Sequence, residues 1–324
     1  MIDVAADAGV SLKTVSRVVN KVSTVDPVLV EKVVTSIKKL GFRRNEVAAS
    51  LRSGGETKTI GLITADLSNT FYTTLSSAVA AVARSRGFQI IMASSEESAE
   101  LERSTALDLC QRRVSGLIIV PTSSDHSYLQ PEVELGIPVV FADRPGTGLD
   151  ADSVVVDNWG GAQYAAEQLL AAGHRRIAIL LDSLSIFTMT ERLAGIQAAF
   201  SAAKIERDPS LIAVDVHSPE EARGAMAAML SLADPPSAVL CGNNRSTIGA
   251  VEEIWRRGAT VQVVGFDDFE MSRLLPQEVI IVDYDTAALG TLAAERLFER
   301  IAGDTSMRTN RLLPTHLITR GGKP

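Results

Sequence analysis

Apolar residues recur at helical spacing near the start of the chain and then give way to short continuous runs. Residues 4–20, VAADAGVSLKTVSRVVN, read as two short helices joined by a tight turn. Ala5, Ala6 and Ala8 favour helix, and Gly9 can turn at no steric cost. Ser11 stands where a helix cap belongs, since its hydroxyl can accept from the free N–H groups that follow. Val15, Val18 and Val19 form one apolar stripe at i, i+3, i+4 spacing. The opposite face carries Lys13, Thr14, Ser16, Arg17 and Asn20, side chains that bond phosphates and base edges. Helix, glycine turn and capped polar-faced helix is a helix-turn-helix pattern, though an ordinary helical hairpin with a solvated face has the same signature.

A third helix is predicted from Asp26-Pro27, with Asp as cap and Pro in the first turn. Val30, Val33, Val34 and Ile37 make its stripe, Lys38 and Lys39 suit its C-terminus, and Gly41 ends it. Residues 45–53 (NEVAASLRS) read as a short helix, marginal by itself, before the Gly54-Gly55 break. From Thr59 the period changes. Strand-like runs at 60–64, 89–93, 116–120, 139–142, 177–181, 211–214, 238–242, 261–266 and 279–284 alternate with helical patterns, among them 75–86, 100–112, 160–172 and 190–203. This rhythm gives parallel sheets covered by helices on both faces. The strands are too many for one sheet, and two similar α/β halves divided near Val156 account for them.

Charge changes the picture more than composition does. The net charge of −7 argues against a nucleic-acid partner. Its distribution argues the other way: residues 1–55 hold nine Lys and Arg against five acids, so +4, and the remainder is −11. A small basic head on an acidic body fits a DNA-binding module carried by a larger sensor. The apolar runs are far too short to span a bilayer, and no basic-then-apolar leader opens the sequence, so no membrane association and a cytoplasmic location are expected. Cys110 and Cys241 read as small core residues, not as a disulfide or a metal site. The sequence has no Gly-x-Ser-x-Gly elbow, no GxGxxG or P-loop and no metal-ligand spacing, so neither catalysis nor a cofactor is expected.

With these elements in place, the sequence resembles the lactose-repressor (LacI/GalR) family of bacterial transcription regulators. DVAADAGVSLKTVSRVVN is similar to that family's head signature, and LGFRRNEVAASLRSG to its third-helix end and hinge helix. TIGLITADLSNTFY, RRVSGLIIVP, GIPVVFADR, VDNWGGA, AAGHRRIAIL, TERLAGIQAAF, GNNRSTIGA and VVGFDD resemble successive family motifs in order. The resemblance implies an all-α helix-turn-helix head and a periplasmic-binding-protein-like core of two Rossmann-like subdomains. The expected division is 1–44 for the head and 45–56 for the hinge helix and linker. Residues 57–156 with about 285–316 then make one subdomain, and 157–284 with about 317–324 the other. The same resemblance implies a repressor: a dimer, or dimer of dimers, on a palindromic operator, controlled by a small effector between the subdomains.

By that resemblance Leu12 and Lys13 hold the two main base-reading positions and Arg17 reads deeper in the groove. Lys13 can donate to guanine O6 and N7, and Leu12 can touch a thymine methyl. Ser11, Thr14, Ser16 and Asn20 are then phosphate or capping contacts, and for Thr14 and Ser16 a solvated helix face is the alternative. Leu51 matches the hinge leucine that wedges into the minor groove, with Asn45 and Ala48 on its face. Arg44 replaces a usual proline, Asp26 a usual serine, and the threonine cap of the first helix has no counterpart.

Polar ligands such as sugars need carboxylates, amides and arginines for their hydroxyls and aromatic faces for their C–H surfaces. Strand-end positions supply Asp66, Asn69, Phe71, Tyr72, Asp143, Arg144, Asn243 and Asp267, and Arg192 matches the family's ligand-binding arginine. Trp159, Phe187 and His217 are further candidates. Asn244 stands where many relatives carry Asp, and His174 reads as a loop residue. Asp66 and Asn69 could instead only cap a helix, and Asp143-Arg144 could be a local ion pair. A sugar or sugar derivative is the expected effector. The alternatives are a nucleobase effector, or a sugar-binding protein with a vestigial head.

Overall fold

A computed structural model of the chain describes residues 1–20, 22–42 and 57–322, in two compact units, Met1–Thr57 and Lys58–Pro324. The expected hinge helix at 45–53, with Asn45, Ala48 and Leu51, lies outside the described residues, as does Arg44.

In the small unit, α1 spans Ile2–Ala8, α2 Leu12–Val19 and α3 Pro27–Leu40. Gly9 closes α1 in the left-handed region at φ 64°, the conformation that a side chain disfavours and a tight turn requires. Ser11 caps α2 by accepting from the Thr14 amide, and Asp26 caps α3 by accepting from Val28 N at 2.8 Å. No side chain caps α1. Val4, Ala8, Val15 and Val33 form a common core, with Val18, Val19 and Ile37 packed around it. That small core leaves the opposite face of α2 free.

The large unit contains two six-stranded sheets. The first runs β11-β5-β4-β3-β1-β2: Asn310–Leu313, Asp152–Val156, Val139–Asp143, Leu117–Ile119, Thr59–Thr64 and Gln89–Ser94. All its pairings are parallel. The second runs β12-β10-β9-β8-β6-β7: His316–Arg320, Val279–Asp283, Gln262–Phe266, Ala238–Cys241, Ile177–Leu180 and Ile212–Ala213. Only the pairing of β10 with β12 is antiparallel in it.

Buried parallel strands need apolar residues on both faces, and β1 shows the rule. Ile60 and Leu62 enter one core beneath α4 (Thr70–Ser85) and α11 (Thr286–Ile301), while Ile63 enters another with Leu109 of α5 (Ala99–Gln111), Leu117 and Phe141. A β-carbon on Gly290 would lie 2.4 Å from the Leu75 carbonyl, so α11 approaches α4 closely only because that position has no side chain. In the second lobe α7 (Asn158–Ala171) pairs with α8 (Phe187–Ala202), and α9 (Pro219–Leu230) pairs with α10 (Asn244–Arg257), on opposite faces of the sheet.

Several expected boundaries differ. The strand at 211–214 shrinks to Ile212–Ala213, because Pro209–Leu211 forms a 3-10 turn capped by Asp208. The helix expected from 75 begins at Thr70, started by the Asn69 cap. The helix expected from 190 begins at Phe187, with no side-chain cap to announce it. The short helix α6 (Gln130–Glu134), the helical turn at 270–274 and the strand at 310–313 are elements that the apolar pattern does not mark.

Candidate functional site

On the small unit, Leu12 is 49% exposed at the start of α2, and Lys13, Arg17 and Asn20 are exposed beside it. Thr14 and Ser16 are half-buried. Thr14 is tied to the Ser11 hydroxyl at 2.9 Å, and Ser16 accepts from Asn20 at 3.4 Å. Arg17 donates to the Thr24 hydroxyl at 2.7 Å, which holds it along the helix. The face therefore offers one apolar and one ammonium side chain at the helix N-terminus, the end that enters a major groove in a helix-turn-helix.

In the large unit, a cleft of about 1080 Å3 lies at the carboxyl ends of the strands, between the two lobes. Open α/β sheets bind ligands there, because loops leave the strand ends and helix N-termini point inward. Asp66, Asn69, Phe71, Tyr72, Asp143, Arg144, Arg192, Asn243 and Asp267 all line it, as do Phe187 and His217. Trp159 does not: it stands 41% exposed near the start of α7, outside the lining. His174 lies elsewhere too, its Nδ1 2.8 Å from the Ser237 hydroxyl.

Two carboxylates organise the cleft. Asp143 ends β4 in the first lobe and Asp267 follows β9 in the second, and both are left-handed, at φ 68° and 65°. Non-glycine residues hold such conformations at a cost of about 1–3 kcal/mol, and they cluster at binding sites. Burial pushes the Asp143 carboxyl up to about 6, with Arg144 and Arg192 opposing the rise. Asp267 is met by Arg192 at 3.3 Å and by the Tyr284 hydroxyl at 2.7 Å. Arg192 is 3% exposed and lies 3.9 Å from the centre of the Phe266 ring. It also donates to Asn158 at 2.8 Å and to the Gly242 carbonyl, so its orientation is locked.

Other candidates serve two purposes. Asn69 caps α4 through Phe71 N, and Asn243 caps α10 through Ser246 N. Phe71 and Tyr72 meet edge to face at 4.9 Å and are mostly core, each presenting part of its surface to the cleft. The Tyr72 hydroxyl accepts from Arg144 at 3.2 Å. Phe187, 39% exposed, offers a freer aromatic face.

The strand-end rule found Asp66 and Asn69 but not the partners that join them to the other lobe. Arg245 of α10 reaches Asp66 and the Ser68 hydroxyl, and Asn244 pairs with Asn69. Nor did it find Glu97, which grips Arg144 from the loop after β2 at 2.6 Å. The rim at 122–123 is set by Glu102, a buried carboxylate that accepts from Thr122 N, the Thr122 hydroxyl, Ser123 N and the Tyr128 hydroxyl. Burial alone would raise the Glu102 carboxyl, but His126 and these amides outweigh it and hold it below the usual carboxylate range.

Among the described residues no helix is long and apolar enough to cross a membrane, and no group of His, Cys, Asp or Glu could hold a metal ion. Residues 57–320 match the family described as periplasmic binding proteins and sugar binding domain of LacI family, and residues 1–45 match bacterial regulatory proteins, lacI family. The chain is 31% identical to the ribose operon repressor of Haemophilus influenzae, over 98% of this chain and 97% of that one. It is also 31% identical to the HTH-type transcriptional regulator CelR of Thermobifida fusca, over 98% and 96%. Among solved structures, the Lac repressor bound to ONPG in the repressed state matches with a TM-score of 0.83 at 29% identity, covering 98% of this chain and 97% of that one. The CelR–cellobiose complex matches at 0.72 and 28%, covering 99% and 98%. These relatives are transcription regulators and not enzymes, and the chain belongs to the LacI family of bacterial regulatory proteins.

Proposed function

We propose that the protein is a cytoplasmic, sequence-specific transcriptional repressor whose hold on a palindromic operator is set by a small, sugar-like effector in the inter-lobe cleft. The observation that carries this reading is the pairing, in one chain, of a recognition helix with a free polar face and a sensor whose cleft ends in opposed carboxylates. Two relatives point the same way: the Lac repressor dimer has been crystallised on its operator, and CelR with cellobiose.

A palindromic operator requires a second copy of the chain. Exposed apolar side chains support one: Ile248 and Trp255 on α10 with Met271 beside them, and Ile91 and Met92 on the edge strand β2. Single exposed apolar residues are ordinary, but grouped ones mark contact surfaces. The effector acts by favouring one degree of closure of the lobes, and it can shift operator affinity only by its differential affinity for the two closures.

Fluorescence anisotropy of the full chain on its own promoter region, with and without D-ribose, cellobiose and other sugars, tests the reading. The expected result is nanomolar binding to one palindrome, changed at least tenfold by one sugar. Affinity equal to that for random DNA, whatever the sugar, would overturn it.

A further inference from the structure

Six carboxylates and three guanidiniums line the cleft. The three arginines would be the natural receptors for an anionic ligand, since guanidinium and phosphate pair through two parallel hydrogen bonds. None is available. Arg192 is committed to Asp267, and Arg245 to Asp66. Arg144 is held by Glu97, whose two carboxylate oxygens take both terminal nitrogens at 2.7 and 2.6 Å.

The third pair differs from the first two. Arg192 is locked from every side and supports the site from beneath. Glu97 comes instead from a surface loop, with its side chain 37% exposed. Glu96 and Glu97 are both left-handed, at φ 51° and 56°, so two successive side chains hold an unfavourable backbone here. What that turn achieves is to lay a carboxylate along the guanidinium edge of Arg144. Beside it, the buried Asp143 carboxylate lines the cavity with only the Arg144 Nε contact at 3.5 Å among the described residues. The wall therefore offers acceptors without a free cationic donor.

We propose that Glu97 is an anion filter: by neutralising Arg144 it makes the cleft take an uncharged polyhydroxylated ligand, whose hydroxyls donate to Asp143, and refuse the phosphorylated form of that ligand. The proposal rests on reading the cleft as the effector site. A phosphate ester entering here must displace Glu97 or face the surplus of carboxylates without a cation.

Titration calorimetry of the full chain with D-ribose and D-ribose 5-phosphate, D-glucose and D-glucose 6-phosphate, and inorganic phosphate tests it. In the wild type a free sugar should bind at least tenfold more tightly than its phosphate ester, and inorganic phosphate should give no saturable signal. Glu97→Gln should bind inorganic phosphate saturably, and Glu96→Gln, its neighbour on the same turn, should not. If the glutamine variant does not fold, Glu97→Asp, too short to span both nitrogens, should show the same gain more weakly. A phosphate ester that binds the wild type as tightly as the free sugar overturns the filter. So does equal phosphate affinity in the wild type and the Glu97 variants, whether measurable or nil. Failure of every free sugar to bind, with phosphate still gained by Glu97→Gln, would count against the sugar-effector reading and support the filter.

Discussion

Asn69 and Asn244, 175 residues apart, exchange two amide hydrogen bonds across the cleft, at 3.3 and 2.9 Å. Asn69 caps the first helix of one lobe and Asn244 opens a helix of the other, so the pair fastens two helix starts together. Each such bond contributes about 1 kcal/mol net. Asn244→Ala should therefore weaken effector binding by roughly three- to thirtyfold if the ligand selects the closed form. Calorimetry reads the affinity and small-angle scattering the closure; unchanged values in both would show that the pair does not hold the lobes.

Asp143 predicts a pH dependence. Its carboxyl is pushed up to about 6, so the carboxylate that accepts from a ligand is fully present above that pH. Effector affinity should be level above about pH 7 and fall as pH drops through about 6. For stability the sign reverses. The folded protein holds the proton more tightly than the unfolded chain, so the ionised group destabilises the fold at neutral pH, and this cost is relieved as pH falls from about 6 towards the ordinary value of 3.8. Asp143→Asn should raise stability by up to about 3 kcal/mol while weakening the effector. Denaturant melts at neutral pH showing a loss of stability would refute the assignment.

Glu102 should behave in the opposite sense. Its carboxyl is held below the usual range, so it stabilises the fold above the ordinary value of 4.5 and that contribution is lost as pH falls further. Glu102→Ala leaves two amides and two hydroxyls without their acceptor in the interior and should cost about 3–5 kcal/mol. Because Thr122 and Ser123 line the cleft, effector affinity should fall too, in a core that still unfolds cooperatively by circular dichroism.

At the recognition helix, exchange of Leu12 and Lys13 should change which half-site is preferred and not merely weaken binding. Each good base contact discriminates by about 1–3 kcal/mol. Selection from a randomised operator library would show it, and an unaltered consensus would exclude these two positions as readers. Ser11→Ala, which removes the Thr14 cap, should cost the small unit about 1 kcal/mol without changing the consensus.

The fold class was legible because its signals are local. Period, helix caps and glycine turns are short-range features, and Ser11, Asp26 and Gly9 all act as their sequence context implies. The cleft was legible where one rule, the strand-end position, covers the residue: Asp143 and Asp267 are instances. Arg245 and Glu97 follow no such rule. Each matters through a partner in a distant loop, and no periodicity marks Glu96 and Glu97 as left-handed. Trp159 misled because aromatic character suggests a ligand wall, whereas its direction depends on the turn of α7 on which it sits.

The order of strands has a consequence for how the protein is made. The first sheet needs β11 and the helix α11, and the second needs β12, all of which come from residues beyond 285. Asp152, which opens β5 and is buried in the finished fold, has no Arg296 or Arg300 to meet it until those side chains arrive 144 and 148 residues further on. A growing chain therefore carries two unfinished lobes and an unpaired acid until the stretch 286–320 has been made. Both lobes are completed by that same stretch, so the sensor begins to report on its effector as a whole.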